Sequence, residues 1–217
     1  MFNLKSNNTL GLAIATALLG ATILTPANAA NTYTDRTTFL AATSSTTNID
    51  FEGIAAPGWY VSYGGTASIG GVTFTDTNHG MYVVDPAYSP AYYDWGHGAV
   101  LDGDAGASDI ITATLPSNVF AIGSDIHSFV KYASDFTITL SNGDVFTTPT
   151  NDYPTDAFFG VTSDVAISSI SFKAVTGYTQ LDNFVYGQTS TVPEPGTVAL
   201  LIGMGLSGVR FTFRRRK

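Results

Sequence analysis

Residues 136–148 read Phe136-Thr-Ile-Thr-Leu140-Ser-Asn-Gly-Asp-Val145-Phe-Thr-Thr148, and this stretch decides the fold. Phe136, Ile138 and Leu140 alternate with Thr137 and Thr139, the period-two pattern of a strand with one buried face. Asn142-Gly143 between the two runs is the strongest short hairpin signal, because a tight reversal needs residues that accept positive φ. Working outward, similar short runs recur at Asn48–Glu52, Gly71–Thr75, Met81–Val84, Ile110–Leu115, Val119–Gly123, Phe158–Val161, Ile167–Phe172 and Leu181–Tyr186. They are separated by turn-formers such as Gly70-Gly71 and Leu115-Pro116-Ser117-Asn118. One short helix is expected over Asp35–Ala42, with Thr34 or Asp35 as its N-cap and Phe39 and Leu40 facing the core. Many short strands and no long amphipathic helix predict an all-β, antiparallel, jelly-roll-like β-sandwich with one short N-terminal helix.

The chain has 217 residues and no cysteine, so neither a disulfide framework nor a thiol nucleophile is available. Its charge is unevenly distributed. Of the 17 carboxylates, all but Glu194 lie between residues 31 and 190, where Arg36, Lys131 and Lys173 are the only basic residues. A body of that sign repels phosphate backbones, which excludes nucleic acid as a partner. Most of its aspartates fit turns and a soluble surface.

The two ends are apolar and do different jobs. Lys5 precedes the apolar run Leu10–Leu24, and Ala27-Asn28-Ala29 supplies the small-x-small pattern read by signal peptidase. The expected signal peptide is 1–30, the body 31–188, and the remainder 189–217 a C-terminal signal. That last segment carries Val192-Pro193-Glu194-Pro195-Gly196, then an apolar run from Thr197 to Val209, then Arg210 and Arg214–Lys217. Thirteen residues at about 1.5 Å each fall short of a ~30 Å hydrocarbon core. Continued through Phe211 and Phe213 with Arg210 snorkelling, the run makes a marginal transmembrane helix with its basic end held cytoplasmic. Pro193 and Pro195 favour an extended presentation with Glu194 displayed between them.

This tail resembles the sorting signal of PEP-CTERM proteins. The body resembles the extracellular β-sandwich recurrent among them, through Ile49–Glu52, Gly70–Phe74, Thr112–Pro116, Phe159–Asp164 with Ile167–Phe172, and Leu181–Phe184. The resemblance implies an exosortase as sorting partner and removal of the tail after export. It also implies a Gram-negative host that makes exopolysaccharide. The protein is then expected to cross the inner membrane, to be anchored there transiently, and to reach the cell surface or extracellular matrix in a structural or interaction role linked to exopolysaccharide.

The alternative is a calcium-stabilised carbohydrate-binding module. First and last strands pair in many sandwich lectins and carbohydrate-binding modules, often near a structural calcium. Calcium takes six to eight oxygen ligands, and Glu52 and Asp182 are the candidates here. Leu101–Asp109 has the Asp102/Asp104 spacing of a calcium loop but lacks its glycine and its closing glutamate, so it reads as a polar turn. Tyr88, Tyr92, Tyr93 and Trp95 crowd into Pro86–Gly98, with Tyr92, Tyr93 and Trp95 the candidate sugar-stacking residues, and Trp59, Tyr60 and Tyr63 form a second aromatic group. A secreted hydrolase ranks third. His79, His97 and His127 are isolated, no Gly-x-Ser-x-Gly elbow exists, and no catalytic residues or enzymatic activity are expected. Intact-mass analysis of exported protein is expected to show a chain lacking Arg214–Lys217; a full-length mature C-terminus would overturn the sorting assignment.

Overall fold

The computed structural model describes residues 30–93, 98–103, 109–128, 134–152 and 155–190. The signal-peptide reading, the sorting motif Val192–Gly196, Trp95 and the side chain of Tyr92 lie outside the described residues. Among the described residues no helix is long and apolar enough to cross a membrane.

Among the described residues, fourteen strands form two antiparallel sheets. In chain order they are β1 (Ala30–Tyr33), β2 (Thr43–Ile49), β3 (Tyr60–Gly64), β4 (Thr66–Ile69), β5 (Val72–Asp76), β6 (Met81–Val84) and β7 (Val100–Gly103), then β8 (Ile111–Thr114), β9 (Ala121–His127), β10 (Asp135–Leu140), β11 (Val145–Pro149), β12 (Ala157–Ser163), β13 (Ser169–Ala174) and β14 (Thr179–Thr189). Helix α1 spans Arg36–Ala41 and α2 spans Pro90–Tyr93, with a 3₁₀ turn at Pro86–Tyr88. The larger sheet runs β1-β12-β9-β14-β7-β6-β3, with β2 also pairing with β14; the smaller runs β11-β10-β13-β8-β5-β4. This is the all-β jelly-roll-like sandwich with a short N-terminal helix.

The hairpin behaves as its sequence requires. Phe136 pairs with Thr148 and Thr139 with Val145. Gly143 adopts φ +92°, and the Asp144 carbonyl accepts the Leu140 N–H at 2.9 Å. Phe136, Ile138 and Leu140 are buried, and the intervening threonines are half-buried.

The core lies between the sheets. Val72, Phe74, Ile111, Phe136, Ile138, Ile170 and Phe172 from the smaller sheet meet Val83, Leu101, Ile122, Ile126, Val161, Leu181 and Phe184 from the larger. Phe184 is its centre: its ring lies 5.3 Å from that of Phe74 and 6.4 Å from that of Phe172. Each such side chain contributes about 1.5–3 kcal/mol by leaving water, which is how a chain without disulfides holds together.

Several local expectations are corrected. Asp50 and Glu52 do not lie on a strand, because β2 starts earlier and ends at Ile49. Phe51 then takes φ +58° so that its ring enters the core against Phe74. In α1, Asp35 is the N-cap, accepting from the Thr38 N–H, and Phe39 is buried. Leu40, however, is 41% exposed, because one short helix offers only one face to the sheet. Phe39 lies on the outer face of the larger sheet, over Gly123 and Gly160, which pair across β9 and β12. A Cβ at Gly160 would come within 2.7 Å of the Phe39 ring, so this close approach requires glycine. Val100–Gly103 is a buried strand rather than part of a polar turn. β1 and β14 each extend one residue beyond the expected 31–188 body, and the Ser190 N–H bonds the Ala42 carbonyl at 2.9 Å.

Candidate functional site

The outer faces of the two sheets differ. On the smaller sheet the outward residues are half-exposed and small, among them Thr73, Thr75, Thr112, Thr137 and Ser171, as a solvated face should be. On the larger sheet the residues alternating with the core set are polar yet buried: Asp102, Gln180, Asp182, Asp125 and His127 are each at most 5% exposed. Buried polar side chains are the informative exception to ordinary partitioning. The sheet pairs place Tyr82, Asp102, Gln180 and His127 in one row across four strands, and Asp182 opposite Asp125 in the next.

Two neighbourhoods occupy this face. The first surrounds Asp125 and Asp182. Here β14 carries a bulge between Asp182 and Val185, with Asn183 at φ +47°. The bulge takes one extra residue, so Leu181 and Phe184 both point to the core while Asp182 points out. The bulge carbonyls have side-chain donors: Ser124 Oγ donates to the Asp182 carbonyl and Arg36 Nη2 to the Asn183 carbonyl, each at 2.9 Å. Arg36 also pairs with Asp125 at 2.9 Å, and its guanidinium lies 4.7 Å over the Phe158 ring. Asn183 Nδ2 donates to both Asp125 and Asp182. A cleft of about 620 Å³ opens beside this cluster, lined in part by Arg36, Asn48, Asp125, Asp156 and Asn183.

Burial pushes the Asp125 carboxyl above the usual range, against the pull of Arg36. Asp182 is pushed up to about 8, chiefly by burial, with the Asn183 N–H opposing and the charges of Asp125 and Glu52 adding to the rise. Burial lowers His127, with the Gln180 side chain and Asp156 acting in the other direction. With its value near 8, Asp182 holds its proton at neutral pH, beside the Asp125–Arg36 pair.

The calcium candidates are each engaged by protein donors. Glu52 Oε1 accepts the Ala99 N–H at 2.8 Å, and Asp182 Oδ1 accepts the Asn183 N–H at 2.5 Å. Glu52 lies near enough to raise the Asp182 pKa. Among the described residues no three acidic or histidine side chains are grouped as a metal would need.

The second neighbourhood is aromatic. Asp85 caps the 3₁₀ turn by accepting the Ala87 N–H at 2.9 Å, and the same oxygen accepts the Gly58 N–H at 2.8 Å. This carboxylate ties the turn before β3 to the turn after β6, setting Trp59 beside Tyr88 with ring centres 6.2 Å apart. Trp59 stacks on Tyr60 at 5.6 Å and 11°. Tyr60, Tyr82, Val84, Tyr88, Tyr93 and Asp102 line an open pocket of about 140 Å³. Trp59 is 59% and Tyr88 44% exposed, unusual for such large rings.

The two aromatic groups of the sequence thus converge through Tyr88 and Tyr93 on one side and Trp59 and Tyr60 on the other. Tyr63 separates from them and packs against the main core. Tyr82 and Asp102 were missed, because their membership depends on β6 and β7 being neighbours. The apolar run Met81-Tyr-Val-Val84 marked a strand without saying what lay beside it.

The PEP-CTERM protein-sorting motif is matched at residues 191–217. The chain therefore carries the signal of an exported, exosortase-sorted, membrane-transiting protein of Gram-negative bacteria. No curated protein matches the chain. Among solved structures, two single-residue mutants of the family 29 carbohydrate-binding module CBM29-2 are similar, both at 14% identity. One has a TM-score of 0.36 and covers 63% of this chain and 98% of its own; the other has 0.35, 70% and 99%.

The raised Asp182 value sets a pH dependence. The unfolded carboxyl loses its proton near pH 4, whereas the folded one keeps it to about pH 8. The contribution to stability is thus full below about pH 4 and is lost as pH rises toward 8, by at most about 1.4 kcal/mol per pH unit. In buffer containing EDTA, the melting temperature should fall across that window, and Asp182→Asn should flatten the fall. An unchanged slope in the variant would refute the assignment.

Proposed function

We propose that this exosortase-sorted protein is a non-enzymatic glycan-binding protein of the cell surface or matrix, acting on exopolysaccharide through the outer face of its larger sheet. The observation that carries this reading is the exposed Trp59–Tyr60–Tyr88 platform adjoining a tyrosine-lined pocket with Asp102 in its wall. Aromatic faces cover the apolar side of a sugar ring, and a nearby carboxylate accepts from its hydroxyls. Tyr92 and Trp95 flank Tyr93 in sequence and extend the aromatic count of the same segment. The acidic body fits a neutral or cationic polymer better than a polyanion.

Affinity electrophoresis of the exported protein against a polysaccharide panel that includes the host exopolysaccharide tests the reading. Trp59→Ala and Tyr88→Ala should each weaken binding about tenfold, the equivalent of ~1.4 kcal/mol, with the melting temperature retained. Absence of binding by the wild-type protein across the panel would sink it.

Calcium at Glu52 and Asp182 belongs to the same proposal. An ion there would displace the proton from Asp182, offset the repulsion that its ionised form meets from Asp125 and Glu52, and stabilise the fold by mass action. Calcium should raise the melting temperature of the wild type and leave Asp182→Asn unaffected. Indifference of the wild type to calcium and EDTA removes the ion.

A further inference from the structure

The pocket beside the Trp59 platform has a different shape from the platform. Trp59 and Tyr60 are nearly parallel, but the rings around the pocket stand across one another. Tyr60 meets Tyr82 at 5.4 Å and 82°, and Tyr88 at 5.1 Å and 75°. Tyr88 meets Tyr93 at 6.2 Å and 51°. Rings set at such angles make the walls of a box rather than a shelf. The space they line, open to solvent on one side and about 140 Å³, is well below the roughly 300 Å³ at which clefts for drug-sized ligands begin. It suits one substituent of a larger ligand.

The electrostatics specify that substituent. Each tyrosine face presents the negative side of its ring quadrupole, which attracts a cation within about 6 Å of the ring centre. Asp102, 2% exposed, supplies a carboxyl to the same pocket, and the Tyr93 hydroxyl donates to its Oδ2 at 3.5 Å. No basic side chain among the described residues lines the pocket. Arg36 is bound to Asp125 and the Asn183 carbonyl, and Lys173 lies on β13 of the other sheet. The surrounding body carries an excess of carboxylates that draws cations toward it.

We infer that the pocket formed by Tyr60, Tyr82, Tyr88, Tyr93 and Asp102 takes a protonated amine, so that the polymer bound on this face is an amino-sugar glycan with free amino groups. This rests on the glycan-binding reading and names its ligand class. The Trp59 platform covers a sugar ring, and the box receives the ammonium group projecting from the chain.

The test is isothermal titration of the exported protein with a β-1,4-linked glucosamine oligomer and with its fully N-acetylated counterpart. The two ligands share a backbone and differ in the charge at the amine. The free-amine oligomer should bind at least about tenfold more tightly, and tetramethylammonium should compete with it. Tyr88→Ala, at an exposed ring, should abolish the preference, and so should Asp102→Asn where circular dichroism shows it folded. Equal affinity for the two oligomers, or preference for the acetylated one, overturns the amine assignment and leaves glycan binding intact. Binding of tetramethylammonium without either oligomer overturns the amino-sugar assignment and leaves only a cation box. Failure of all three to bind overturns the box itself, while the polysaccharide panel separately decides the glycan reading.

Discussion

Phe184 fixes the rest of the molecule. Its ring joins both sheets through Phe74 and Phe172, so the register of β14 cannot slip without emptying the core. Leu181 is also in the core, only three residues earlier, and strict alternation would send one of the two outward. The bulge at Asn183 resolves the conflict with a left-handed residue. Asp182 is consequently delivered to the outer face opposite Asp125, and Gln180 opposite His127.

The same constraint explains the electrostatics. Two carboxyls facing each other away from water cannot both ionise at modest cost. The protein manages them with Arg36 on Asp125, with Asn183 Nδ2 shared between both, and with a proton kept on Asp182. Arg36 comes from α1, and α1 is held by Phe39 over paired glycines. Helix, bulge and acid pair are thus one unit, in which no part is placed without the others.

The sorting motif and the aromatic face are divided along the chain. The sorting motif at 191–217 sets the route, and its reading needs no fold. The aromatic face depends on the fold throughout. Trp59 and Tyr88 are 29 positions apart in sequence and meet because the single Asp85 carboxylate binds both turns. Tyr82 and Asp102 join them because β6 and β7 are neighbours. Sequence reading found the two aromatic groups but kept Tyr63 with Trp59 and Tyr60, although positions three apart on a strand lie on opposite faces and Tyr63 packs against the core.

The amino-acid sequence by itself determined the all-β class, the Asn142-Gly143 hairpin, a short helix capped at Thr34 or Asp35 and the address at the C-terminus. Each is written in local chemistry: period-two alternation, a turn needing positive φ, a capping side chain, and a proline-flanked glutamate before a short apolar run. Strands β1, β3, β4 and β7 escaped that reading because short edge and interior strands lack enough alternation to be recognised. Glu52 was misplaced on a strand because nothing local announces that Phe51 turns back into the core. Only the tertiary structure decided that the polar residues of the larger sheet's outer face would be buried, that Asp182 would face Asp125, and that four tyrosines would line a pocket with Asp102. The reason is physical: these properties are set by strand neighbours and covering elements, brought together by burial across the whole chain.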